Sequence, residues 1–238
     1  MKSKFLILSC FLTLFLYNHV NAASINGSGK MMTRVVKVAD FNAIVLTSSA
    51  DVEISRGNTY SVVLTDYENL IDAHAFRREG DVLRIGVKPN ISIRNSKARI
   101  KITVPGPLYS VKITGSGDVV VKKLNTLKEL AISGSGDIKL PTGEHYNNLN
   151  ISVSGSGDVE VNGSARNTMV SLKGSGDVDL GNLKSESVDC QIVGSGDVDV
   201  YVLKKLKVSI AGSGDVVYYG NPQHVEKIIR GSGTVRAK

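Results

Sequence analysis

The chain is poor in the residues that usually do chemistry. It has two cysteines, four histidines and no tryptophan in 238 residues, and aromatics make up 5% of it. Cys10 lies in an N-terminal apolar run, so removal of that run leaves Cys190 alone and no intramolecular disulfide can form. Cys190 falls at an inward place of the pattern described below, where it reads as a small core hydrophobe rather than a nucleophile. His19 lies beside the apolar run, and His74, His145 and His224 stand isolated in the sequence. A serine nucleophile needs a His base and an orienting acid, so the abundant serines are read as turn formers. Lys and Arg are scattered rather than gathered into a stripe with aromatic platforms, which excludes a nucleic-acid partner.

Residues 1–22 read as a secretory signal peptide. Lys2 and Lys4 precede an apolar stretch from Phe5 to Tyr17, and Val20-Asn21-Ala22 supplies small residues for cleavage. That stretch is short for a membrane span, and no integral membrane segment is expected after its removal. Leu8-Ser9-Cys10 admits a lipoprotein reading, but more apolar residues follow the cysteine than precede it. The mature chain is therefore expected to be exported, whether to the periplasm, the outer surface or the medium. Losing Lys2 and Lys4 lowers the formal charge from +7 to +5, an excess that leaves room only for loose attraction to anionic glycans or lipid headgroups.

What the chain has in abundance is Gly-Ser-Gly. From residue 115 the tripeptide recurs every 18 to 21 residues, six times followed by Asp and once by Thr, with an outlying copy at Gly27. The glycine pairs are Gly115 and Gly117, Gly134 and Gly136, Gly155 and Gly157, Gly174 and Gly176, Gly194 and Gly196, Gly212 and Gly214, and Gly231 and Gly233. Four and two residues before each copy stand apolar pairs such as Ile151 and Val153; four and six residues after the first glycine stand pairs such as Val159 and Val161. Polar residues such as Ser152 and Glu160 alternate with them, so each unit holds two half-buried strands that meet at the tripeptide. The pattern predicts an all-β fold, a parallel β-solenoid of about 19-residue turns in which aliphatic columns lie inside and Ser and Asp columns run along an outer edge. Both glycines are expected to point inward at the bend, where a side chain would crowd it and positive φ is needed.

We read residues 23–238 as a single solenoid domain, with residues 23–110 as a degenerate turn plus an excursion and residues 111–238 as the regular repeats. Ser48-Ser49-Ala50-Asp51 takes the place of Gly-Ser-Gly-Asp, with Ile44, Leu46, Val52 and Ile54 inward. The excursion from Arg56 to about Tyr109 contains alternating runs at Tyr60 to Leu64, Val82 to Val87 and Ala98 to Val104. Thr65-Asp66-Tyr67-Glu68 resembles a capping box and predicts a short helix over Asn69 to Arg78, ended by Gly80, covering the first stacked turn.

The signal peptide, the Ser-Ala-Asp-Val-Glu-Ile turn, the run Asn90-Ile91-Ser92-Ile93-Arg94-Asn95 and the serial Gly-Ser-Gly-Asp-Val units together resemble the head GIN domain of auto-transporter adhesins, exported proteins of Bacteroidetes. The resemblance covers essentially the whole mature chain. It implies a right-handed parallel β-solenoid and an adhesin-like role, and it carries no catalytic or binding residues. The amphipathic β-runs are used by the coil, so no membrane barrel is expected from them.

The predicted carboxylate row Asp118, Asp137, Asp158, Asp177, Asp197 and Asp215 is the most suggestive constellation. Unit charges ~5 Å apart repel by ~0.8 kcal/mol in water and ~3 kcal/mol at an effective dielectric of 20, so the row needs relief. One reading is a row of bound cations. The reading we favour is that each carboxylate accepts backbone N–H groups at its own bend, because Thr234 occupies the equivalent place in the last unit and is a poor calcium ligand. No cofactor is implied. The expected function is a non-enzymatic module presenting a repetitive polar surface to an envelope or extracellular glycan or protein. A carbohydrate-active lyase or hydrolase and a self-assembling structural solenoid are the alternatives.

Overall fold

The computed structural model describes residues 23–238, and the signal peptide inferred for residues 1–22 lies outside them. The regular part is a stack of coils whose strands pair parallel and in register. Strand β12 (Glu129–Ile132) leads into the longer β13 (Ile138–Gly155), β14 (Val159–Gly174), β15 (Val178–Gly194) and β16 (Val198–Gly212), each of which passes through a bend before ending at the first glycine of a tripeptide. The first glycines of successive units pair directly from Gly155 through Gly174, Gly194 and Gly212 to Gly231.

The expected columns are present. Val159 pairs with Val178, Val178 with Val198, Val198 with Val216, and Val216 with Val235. A second column runs from Ile151 through Val170 and Cys190 to Val208. All of these but Val235 are buried, and they belong to one continuous cluster that extends from Phe41 to Val216. Each such aliphatic side chain contributes ~1.5–3 kcal/mol on burial.

Beyond the two strands per unit that the pattern predicts, each long strand carries a third paired segment. There Tyr146, Ala165, Ser185 and Val202 form an inward, buried column. Register shifts fall next to it, between Leu140 and Glu144, between Glu160 and Gly163, and between Leu180 and Lys184. This bend absorbs the unequal repeat lengths, leaving the Gly-Ser-Gly corner invariant.

The degenerate turn is a coil of the same stack. Strands β3 (Ala43–Leu46) and β4 (Asp51–Arg56) pair parallel with β10 (Ser110–Ile113) and β11 (Val119–Lys122), and Gly117 N donates to Ser48 O at 3.1 Å. Within the excursion, β7 (Val82–Val87) and β9 (Arg99–Val104) add one more parallel level on β3 and β4. The direction then reverses: β5 (Ser61–Tyr67) and β2 (Met31–Val36) continue one face antiparallel, and β6 (His74–Glu79) closes the other. A separate parallel ribbon joins β1 (Ala23–Asn26) to β8 (Ile91–Arg94).

The helix predicted over Asn69 to Arg78 is shorter and different. Residues Glu68–Ala73 form a 3₁₀ helix with no side-chain cap, and His74–Glu79 is a strand that turns at Gly80. The reason is tertiary: β7 offers an edge to residues 74–79, while Asp66, within the expected capping box, is drawn into the interior.

The expected positive φ is found at Gly155, Gly174, Gly194, Gly212 and Gly231, but the crowding has a different source. A Cβ on Gly176 or Gly157 would collide with the backbone carbonyl of Gly157 or Gly136 in the preceding coil, so close stacking, more than crowding inside the bend, demands glycine. Gly174 also lies at φ +128°, a region that side chains disfavour. Gly176→Ala is therefore expected to lower stability by about 1–3 kcal/mol in a denaturant titration. Gly143→Ala, whose Cβ would find its nearest neighbour at 3.8 Å, should stay near the parent.

Candidate functional site

Three groups of polar side chains stand out among the described residues. The first is the outer corner. Each predicted aspartate uses Oδ1 to accept a backbone N–H of the next coil: Asp118 from Asp137 N at 2.9 Å, Asp137 from Asp158 N at 2.9 Å, and Asp158 from Asp177 N at 2.8 Å. Asp177 accepts from Asp197 N at 2.9 Å, Asp197 from Asp215 N at 2.7 Å, and Asp215 from both N and Oγ1 of Thr234 at 2.8 and 3.0 Å. The carboxylates thus cap backbone groups, but between coils rather than within their own bends. Among the described residues no cluster of three His, Cys, Asp or Glu side chains forms a metal-binding group. Ser156 and Ser175 stand exposed beside this row, with no histidine hydrogen-bonded to them.

The second group lies in the cap. Asp66 is fully buried and accepts four hydrogen bonds: Ser96 Oγ at 2.7 Å, His74 Nε2 at 2.8 Å, and the backbone N–H groups of Tyr67 at 2.8 Å and Lys97 at 2.9 Å. His74, isolated in sequence, is thus not isolated in the fold. Burial alone would raise the Asp66 pKa, but the bonds from Ser96, His74, Lys97 and Tyr67 outweigh it and hold the carboxyl below its ordinary range. The three side-chain types of a hydrolytic triad are present in the wrong order. Ser96 and His74 both bond to Asp66, so the histidine is not placed to take the serine proton.

Cys190 is likewise structural, its thiol pushed up to about 12 by burial and, secondarily, by the neighbouring Asp189 charge.

The third group is an open trough of about 530 Å³ on the outer face of β13 to β16. It runs across the strands between two columns of outward side chains. One column is Asn148, Asn167, Ser187 and Lys205, and the other is Asn150, Met169, Asp189 and Lys207. The residues between them, Leu149, Thr168, Val188 and Leu206, point inward and are buried. Thr168 is accommodated there because its hydroxyl pairs with that of Ser185 at 2.8 Å. Asn167 Nδ2 donates to Asn148 Oδ1 at 2.9 Å, which fixes both amides. Asp189 Oδ1 is shielded from solvent and has no hydrogen-bond partner among the described residues.

None of the trough residues was singled out from the sequence. The signal that could have found them lies seven and five residues before each first glycine, where the residue type changes from coil to coil instead of repeating.

A parallel β-solenoid with glycine-tight corners and an antiparallel cap defines the architectural class of the protein. The sequence matches the family model described as "putative auto-transporter adhesin, head GIN domain" over residues 40–222, and the chain belongs to that family. The structure is similar to that of a putative adhesin from Bacteroides fragilis, 24% identical, with TM-score 0.80 over 90% of this chain and 100% of that one. It is also similar to a putative lipid binding protein from Parabacteroides distasonis, 27% identical, with TM-score 0.74 over 90% of this chain and 99% of that one. A putative adhesin from Parabacteroides merdae, 22% identical, gives TM-score 0.71 over 91% of this chain and all of the other. Among curated proteins none matches the sequence.

Four outcomes test these assignments. Asp177→Asn keeps an acceptor oxygen for Asp197 N and should remain near the parent, whereas Asp177→Ala should lose about 1 kcal/mol. Calcium should leave the thermal midpoint of the parent unchanged, and a saturable rise would establish a cation row instead. Asp66→Ala, which strands the buried His74 and removes the acceptor of three further donors, should cost about 3–5 kcal/mol. Because the folded pKa of Asp66 is depressed, its contribution is present above the ordinary carboxylate pKa and is lost as pH falls through the folded value. Asp66→Asn should remove that part of the acid limb in pH-dependent unfolding.

Proposed function

We propose that this chain is an exported, non-catalytic, adhesin-like module that holds an extended envelope or extracellular macromolecule along its outer trough. The observation that carries this reading is the trough itself: eight outward side chains from four coils, most of them polar, face a shared volume on a backbone whose hydrogen bonds are already made within the ladder. A rigid sheet presenting adaptable side chains suits contact over length better than chemistry at a point. Family membership supports adhesion over catalysis, and the Ser96, His74 and Asp66 geometry supports the same choice. Among the described residues no helix is long and apolar enough to cross a membrane.

The test is retention of the purified mature chain on fractionated bacterial envelopes and on immobilised glycans. The parent should be retained, and the triple substitution Asn150→Ala, Asn167→Ala and Ser187→Ala should weaken retention about tenfold or more with the circular dichroism unchanged. Retention that ignores the triple substitution, or a parent that binds no fraction, would sink the reading.

A further inference from the structure

We infer that the trough recognises an acidic glycan, with the carboxylate-bearing sugars at its lysine end and neutral hydroxyls at its asparagine end; this rests on the binding role proposed above. Four observations lead there. The trough is graded along the stack: the coils of β13 and β14 contribute Asn148, Asn150 and Asn167, and the coil of β16 contributes Lys205 and Lys207. Neither ammonium makes an ion pair among the described residues; Lys207 stands in register between Asp189 and Glu226, whereas Lys205 stands between Ser187 and His224 and is the less compensated charge offered to an incoming anion. The nearby pair is made instead by Lys204, which bonds Glu186 at 2.7 Å.

Second, the groups on offer suit a polyol. With Asn167 Nδ2 pinned on Asn148, the remaining amide donors and acceptors of Asn148, Asn150 and Asn167 project from a fixed frame and can pair with adjacent hydroxyls. Asp189 Oδ1 is the complementary acceptor: shielded, charged and without a donor, it is a costly group that a sugar hydroxyl would satisfy as the side chain turns toward the trough. Met169, 53% exposed on the same face, offers a pliable apolar surface for the C–H side of a sugar ring.

Third, a peptide finds little here. Strand addition needs free backbone N–H and C=O groups, and the backbone of β14 to β16 under the trough is paired on both sides by the neighbouring coils. The trough also lacks the deep apolar anchor pocket that a helix or an aromatic hot spot would fill. Fourth, it crosses four coils, a length of about 14 Å at ~4.8 Å per coil, which accommodates a short run of sugars lying along the stack axis.

The experiment measures binding of the mature chain to polygalacturonate, hyaluronate, neutral dextran and polyglutamate in parallel, by calorimetry at low and moderate salt. At least one of the two carboxylated glycans should bind about tenfold or more tightly than dextran and polyglutamate. Lys205→Gln with Lys207→Gln should remove that preference, and Asp189→Ala should weaken glycan binding without restoring binding to dextran. Equal affinity for polyglutamate would reassign the lysine end to acidic polypeptides. Equal affinity for dextran, indifference to the lysine substitutions, or no binding of either carboxylated glycan would overturn the assignment. If envelope retention then still depends on Asn150, Asn167 and Ser187, the binding role stands and only the acidic-glycan assignment falls. If retention is lost as a whole, the binding role falls with it.

Discussion

Close backbone approach at one corner organises this molecule. At each Gly-Ser-Gly the carbonyl of one coil occupies the place where a side chain of the next would begin, as for Gly157 beneath Gly176. The coils can then stay at sheet spacing through a sharp change of direction, with bonds such as Ser175 N to Gly155 O at 3.0 Å continuing the ladder around the bend. The aspartate that follows reinforces the same contact, because its Oδ1 reaches the N–H of the equivalent residue one coil on. In-register stacking of the aliphatic columns follows from this corner, since a slip of one residue would turn Val178 and Val198 outward.

A stack so regular must end without leaving its core and edges bare. At the N-terminal side the chain reverses direction, and antiparallel β5, β2 and β6 close the sheets over the Asp66 hub. At the other side the column that holds Cys190 and Val208 receives Lys227 instead of an aliphatic residue. Its ammonium donates to Val235 O at 2.9 Å and lies 5.2 Å from the Tyr218 ring centroid, placing a charge at the mouth of the core. An inward-pointing charge of this kind opposes addition of a further coil, although Val225, Ile228 and Ile229 of the same strand remain about 40% exposed.

The division of labour between repeating and varying positions bears on function. The serine and aspartate columns are conspicuous because they recur, and they recur because stacking requires the corner. Binding residues in a solenoid have no such obligation. Asn167, Met169, Asp189 and Lys207 sit on sheet faces where the backbone is satisfied whatever side chain it carries, so differences between coils can be spent on recognition.

The periodic part was legible because its determinants are local and repeated: Val159 and Val161 after one tripeptide predict the places of Val178 and Leu180 after the next, and Ser48 to Asp51 could be recognised as a worn copy. The cap resisted that reading where a distant edge decided the outcome. Residues 74–79 carry a helix-compatible sequence yet form a strand because β7 lies beside them, and Asp66, His74 and Ser96 meet only after the chain has reversed twice. The trough was hidden for the same reason, since Asn148 and Lys205 become neighbours along one groove only when four coils are stacked. The sequence by itself determined the coil, its corners and its aliphatic columns, because each depends on residues within one repeat and its identical neighbours. The cap and the buried carboxylate were decided by tertiary structure, because their contacts join residues that no local pattern relates, and the open face by stacking, which brings the varying places of successive repeats together.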